Sequence, residues 1–231
     1  MEAIIQGWLS IWLYVIAAIA VVLGVLIWKN RNTWSKLNIL CALAIIVLVL
    51  HVLEEWVLPG GLHYSYNITN GGTVLSCYPM NRLTDMITNF GGVVLGCIVL
   101  KCWGFKKPAA IAVMLFSFAE FVMHFAIGIQ DLGRFSEYGM NILYSPGLIT
   151  SMFGFLPIAI GLGVELFKPS AKPRPSVKQW VMGVVAMFAL AFVLISLPEK
   201  LLKDENSPYK FTNRGYYAQY SEQYEADNDY G

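Results

Sequence analysis

Charge is scarce in this 231-residue chain: 16 basic and 15 acidic residues make up 13% of it and leave a formal net charge of +1. No basic stretch interleaved with aromatic residues occurs, so the sequence offers nucleic acid no electrostatic footprint and none is expected as a partner. Cysteine is scarce too. Cys41, Cys97 and Cys102 fall in apolar runs, where a thiol packs as a small hydrophobe, and Cys77 sits alone in a loop. Neither a disulfide framework nor a zinc knuckle is expected from that scatter. No Gly-rich loop follows a strand-like segment, and Gly92, Gly96 and Gly104 read as isolated helix glycines. That removes the nucleotide and flavin fingerprints. No internal repeat is visible. The start, Met1-Glu2-Ala3-Ile4, has no positive segment ahead of its long apolar run, which reads as a retained first span rather than a signal peptide.

What is abundant is hydrophobicity, at 57% of residues and a mean hydropathy of +0.57. The pattern predicts an all-α, polytopic membrane helical bundle of about six transmembrane helices, near 8–28, 39–58, 85–105, 109–130, 148–167 and 179–197. Residues 1–198 would form the bundle and 199–231 a polar, Tyr-rich tail. Lys and Arg crowd the first, third and fifth connections (Lys29, Arg31 and Lys36; Lys106 and Lys107; Lys168, Lys172, Arg174 and Lys178). The second and fourth hold only Arg82 and Arg134. Those odd loops are therefore expected in the cytoplasm of a cell-membrane protein, with both termini outside. The second loop carries a glycosylation sequon at Asn67-Ile68-Thr69, and alternation over 63–68 and 73–78 suggests a short hairpin. Tyr209, Tyr216, Tyr217, Tyr220, Tyr224 and Tyr230 stud the tail. It reads as a solvated, disordered segment, or else as a docking surface for another membrane subunit.

One stretch organises the rest. His51-Val52-Leu53-Glu54-Glu55 lies inside the second apolar run, and the offsets i, i+3 and i+4 place its three ionisable groups on one helix face. A charged group at the bilayer centre costs about 2.5–3.5 kcal/mol on insertion scales, so these groups need partners. The fourth run supplies Glu120 and His124, again at i, i+4. His51 and His124 lie each roughly 10 Å below the same membrane surface, at 1.5 Å per helical residue. Asp85 and Asn89 open the third span on that side, and Asn141 and Tyr144 precede the fifth. His63 reads as a surface loop residue, and Glu165, at the opposite end, as a solvated interfacial carboxylate.

With neutral imidazoles, Glu54, Glu55 and Glu120 sum to −3, and no Lys or Arg lies at that depth. Protonation would answer the deficit, since burial raises carboxylate pKa values, and so would one or two divalent cations, iron or zinc by the ligand types. On this reading His51, Glu54, Glu120 and His124 are ligands, Glu55 a ligand or a second-shell group, and Asp85, Asn89 and Asn141 supporting groups. Di-iron helical bundles use Glu and His at helical spacing in a related way. Two other readings fit the same residues: a metal-free polar network that fixes helix packing, and a protonatable relay in a proton-coupled transporter. If the chain is an enzyme, a metal-activated water or oxygen acting on a lipid-soluble substrate is preferred. The non-enzymatic alternative is an accessory subunit of a membrane complex.

His51-x-x-Glu54-Glu55, followed by Trp56 and Pro59, resembles the HXXEE family of membrane proteins. Tyr144-Ser145-Pro146-Gly147-Leu148-Ile149-Thr150, followed by Leu156-Pro157, is similar to the Pro-Gly-Leu-x-Thr…Leu-Pro segment of that family, and His124 fills the place of its intervening histidine. The resemblance covers roughly 39–162. It implies a helical bundle and a site, and no reaction. Pro146 and Gly147 also read, on their own, as a helix start, with Thr150 able to bond within the first turn.

Overall fold

A computed structural model describes residues 2–168 and 173–228; Lys172 and Tyr230 lie outside the described residues. Six helices are long and apolar enough to cross a bilayer. They are α1 (Glu2–Asn30), α2 (Lys36–Trp56), α4 (Arg82–Cys102), α5 (Lys107–Phe135), α6 (Leu148–Phe167) and α7 (Val177–Leu202). Two short helices, α3 (Leu62–Thr69) and α8 (Ala218–Asp227), lie outside the spans. Among the described residues there is no strand.

Local chemistry sets where the spans begin. Ser35 caps α2 by accepting from the Asn38 amide. Asn81 and Thr84 form a capping box at α4, as Ser176 and Gln179 do at α7. Two of the spans widen into a π-turn just before a proline. In α6 the Leu156 amide reaches back to the Ser151 carbonyl, ahead of Pro157. In α7 the Leu197 amide reaches the Phe192 carbonyl, ahead of Pro198. Proline has no amide hydrogen and its ring crowds the carbonyl four residues back. Pro198 thereby frees the Leu194 carbonyl, and Thr88 Oγ1 of α4 donates to it at 2.6 Å. The orphaned acceptor becomes a tie between spans.

α2 is the central rod, packed on α1, α4, α5 and α6. Trp12 and Ile16 of α1, Cys41, Val49 and Val52 of α2, Val93 of α4 and Leu162 of α6 fill the core around it. α7 is peripheral and leaves Val177, Val181, Phe188 and Phe192 exposed, as a lipid-facing helix would. One end of the bundle is basic, with Lys29, Arg31, Lys36, Lys101, Lys106 and Lys107. There Glu165 meets Lys168 and Lys36, so it is paired rather than simply solvated.

The other end is capped by the chain's own tail. The Arg82 amide donates to the Tyr209 carbonyl, the Phe211 amide to Ser76 and the Tyr216 amide to Gly60. Gly60 (φ +76°) and Gly215 (φ +51°) meet backbone to backbone; a Cβ on Gly215 would lie 2.5 Å from the Gly61 nitrogen. Buried Asp131 at the end of α5 locks the arrangement. It accepts from Ser65 Oγ (2.5 Å), Arg134 (3.1 Å) and the Tyr217 hydroxyl.

This end corrects several sequence expectations. Residues 63–68 form helix α3, not the first arm of a hairpin, because Asn67 closes the loop locally. Its amide group donates to Leu75 and Met80 carbonyls (2.9 and 3.0 Å), and its side-chain oxygen accepts from the Met80 amide. Asn67 is thereby fully buried, so the sequon presents no acceptor in the fold. Gly104 lies beyond α4 with φ +64°, not within a helix. The tail residues 203–228 pack on their own bundle rather than standing free, with Tyr217 and Tyr224 in a cluster with Tyr64 and Phe135.

His63 is buried, not at the surface. It stacks on Phe211 with ring centroids 3.8 Å apart and planes 6° from parallel. Burial pushes its imidazole down to about 3, against a hydrogen bond to the Asn213 backbone that works the other way. In the unfolded chain the same ring titrates near 6.5. The folded cap is therefore favoured in full above pH 6.5 and loses up to ~1.4 kcal/mol per pH unit as acidity rises toward pH 3. Limited proteolysis of the detergent-purified protein should show the tail released on acidification through this window. His63→Leu should flatten that dependence.

Candidate metal centre

Four side chains converge where α2 passes α5. The helical step of about 100° per residue puts His51 and Glu55 on one face of α2, and Glu120 and His124 on one face of α5. His51 Nε2 lies 3.1 Å from Glu55 Oε1 and 3.6 Å from Glu120 Oε2. His124 Nε2 lies 3.3 Å and 3.6 Å from the same two oxygens. The two rings meet edge to face with centroids 4.6 Å apart. One donor atom each from His51, Glu120 and His124 fits within 4.8 Å of the others, a grouping that could hold a metal ion. Glu55 Oε1 stands within hydrogen-bonding distance of both imidazoles.

The two glutamates of the motif point to different partners, and Glu54, expected among the ligands, is not brought to the imidazoles. Glu54 turns away from the imidazoles toward the first turn of α6. Its Oε1 accepts from the Tyr144 hydroxyl (3.0 Å) and the Ile149 amide (3.1 Å). Its Oε2 accepts from the Thr150 amide (2.8 Å) and hydroxyl (2.6 Å). Amides without intrahelical partners and the positive end of the helix dipole are natural company for a carboxylate. Glu54 is thus saturated as a helix cap, while its neighbour Glu55, one helical step round, faces the imidazoles.

Asp85 and Asn89 form an adjoining layer rather than part of the cluster. Asp85 accepts from Trp56 Nε1 at 2.6 Å and from Asn89 Nδ2 at 2.7 Å. Asn141 is exposed in the loop before α6 and is not brought to the site. Thr150, which the sequence suggests only as a helix-start residue, and two residues for which it suggests no role complete the surroundings. Thr150 Oγ1 lies 2.9 Å from His51 Nδ1. Ser151, in the π-turn, lies 3.5 Å from the same nitrogen. Phe155 packs edge-on against the His51 ring. His124 Nδ1 has no hydrogen-bond partner among the described residues.

Amides and hydroxyls stabilise the Glu54 carboxylate where it stands. That leaves Glu55 and Glu120 facing the two imidazoles, where a proton on a ring or a cation between them would meet their charge. Three of the four side chains are nearly closed off, with His51 3%, His124 2% and Glu55 7% exposed. Glu120 keeps 12%, on a helix whose Phe118, Val122 and Met123 face outward. At the capped end, Tyr216 stands edge-on over Tyr144 and Phe211 packs on Trp56.

A family described as "Protein of unknown function with HXXEE motif" matches residues 42–162 of the chain. No curated protein and no solved structure matches it. The matched segment holds every member of the cluster, the Glu54 cap and Thr150, and leaves the tail outside.

Gly147 lets the two imidazoles approach. Its φ is +98°, and a Cβ there would stand 2.6 Å from His124 Nδ1 and 2.8 Å from His51 Cε1. Gly147→Ala should destabilise the fold by at least ~1–3 kcal/mol through backbone strain. The clash should also drive the rings apart. A lowered thermal midpoint together with altered histidine NMR signals would verify this; an unperturbed variant would contradict the geometry.

Proposed function

The chain belongs to the HXXEE family, and on that footing we propose that it binds one divalent transition metal ion, iron or zinc, within a multi-pass membrane bundle. His51 Nε2, His124 Nε2, Glu120 and Glu55 are the ligands of this reading. The observation that carries it is the pair of imidazole nitrogens facing two carboxylate oxygens, with no Lys or Arg beside them among the described residues. Two-histidine, carboxylate-bearing sites suit non-haem iron, and closed N/O sets of four suit zinc.

The reading extends to a metal-dependent oxidoreductase or hydrolase. A metal held there would supply an activated water or oxygen. The protein's own residues would orient it and keep bulk water out. The tail lies across the aqueous end of the bundle, and Glu120 is the least enclosed ligand, on a face of α5 that meets lipid. Both favour a substrate that arrives through the bilayer. We place the capped end and both termini outside a cell membrane, because the basic loops lie at the other end.

A second reading keeps the site metal-free. The 3.1 and 3.3 Å separations at Glu55 are also hydrogen-bond lengths, so a protonated imidazole could bridge the helices. The transporter reading has less support, since the clustered polar groups occupy one half of the bundle. The accessory-subunit reading has less as well, because the tail's aromatic residues up to Tyr224 are engaged with their own chain.

Elemental analysis of protein purified in detergent without chelators separates the two leading readings. Wild type should carry about one iron or zinc per chain, and Glu120→Gln or His124→Ala less than about a tenth of that. A folded wild-type protein with no stoichiometric metal would leave only the ion-pair network.

A further inference from the structure

A threonine hydroxyl has one proton to give. Thr150 Oγ1 sits 2.6 Å from Glu54 Oε2 and 3.2 Å from the Gly147 carbonyl. A carbonyl can only accept, and Glu54 already receives the Tyr144 hydroxyl and the amides of Ile149 and Thr150. A carboxylate with that company has no hydrogen to return. The Thr150 proton is therefore committed away from His51, and an oxygen lone pair faces His51 Nδ1 at 2.9 Å. That nitrogen must carry the hydrogen.

From this we propose that Glu54 and Thr150 are positioning residues that fix His51 in its Nδ1–H form, so that its Nε2 presents a lone pair to the space between Glu55 and Glu120. The inference deepens the metal reading and rests on it for its purpose, though not for its geometry. It gives the two adjacent glutamates of the motif separate duties. Glu55 faces the site, and Glu54 acts on His51 through a hydroxyl supplied by another helix. Hydrogen-bonding the far nitrogen of a ligand imidazole orients the ring and raises its basicity. His124 lacks any such partner at Nδ1 among the described residues, so among them only one of the two imidazoles is oriented in this way. A Nε2 lone pair 3.1 Å from one carboxylate and 3.6 Å from another is repelled unless positive charge lies between them. A cation bound there would supply that charge, and a second proton on Nε2 would supply it in the metal-free reading.

The test uses the full-length protein in detergent, zinc as the probe, and the variants Thr150→Val and Thr150→Ser. Thr150→Val keeps the shape and loses the hydroxyl; Thr150→Ser keeps the hydroxyl. By competition against a chelator, Thr150→Val should bind zinc about 10–100-fold more weakly, and Thr150→Ser within about three-fold of wild type. Nitrogen-15 NMR of the histidines supplies an independent reading. In wild type and Thr150→Ser the His51 Nδ1 should be protonated and hydrogen-bonded, and in Thr150→Val that signature should be lost. Unchanged zinc affinity in folded Thr150→Val, or a wild-type His51 protonated at Nε2 alone, would overturn the proposal. Wild-type protein that binds no zinc yet shows the protonated Nδ1 would instead sink the metal reading and leave the relay standing.

Discussion

Everything at the centre of this bundle follows from two carboxylates, Glu55 and Glu120, facing two imidazoles inside an apolar environment. Ionised groups there are expensive unless their charge is met at short range. Among the described residues no Lys or Arg joins the cluster. Packing alone does not demand this arrangement either, since helices associate in lipid through small residues and shape. A polar cluster carried at such expense, and shared by α2 and α5, is what the proposed cation site rests on.

The architecture serves that place. α2, the most enclosed rod, carries three of the motif's ionisable groups, and its neighbours finish them. α6 begins with a glycine whose left-handed backbone leaves room for both rings, and its first amides hold Glu54. Thr150 of the same turn reaches His51. The π-turn before Pro157 sets Ser151 and Phe155 beside the same ring. Sites with such widened turns are often functional. At the membrane surface the tail closes over this corner through Asp131, Tyr217, Phe211 and His63, which makes the cap part of the same folded body.

How much of this is legible in the sequence depends on whether the signal is local. The six spans are legible because apolar runs of bilayer length announce themselves. His51, Glu55, Glu120 and His124 are legible as polar residues at helical spacing in those runs. The division of labour between Glu54 and Glu55 is not, because adjacent residues differ by one helical step and only the position of α6 decides which meets amides. Thr150 is visible as a helix-start residue, yet its link to His51 spans two helices. His63 reads as a surface residue because its partner, Phe211, lies in a polar tail that gives no sign of folding back. Asp131 ends an apolar run without a motif, and its partners Ser65 and Tyr217 come from distant segments. Alternation over 63–68 suggests a strand, but one buried asparagine satisfies the loop and lets a helix form. Asn141 is near the site in sequence only.

The most direct test of the cation at the centre is a crystal structure of protein purified without chelators, with anomalous difference maps recorded across the iron and zinc absorption edges. The account predicts a single peak between the rings, roughly 2.0–2.2 Å from His51 Nε2 and from His124 Nε2. Well-ordered imidazoles bonded directly to Glu55, with no anomalous peak between them, would contradict it.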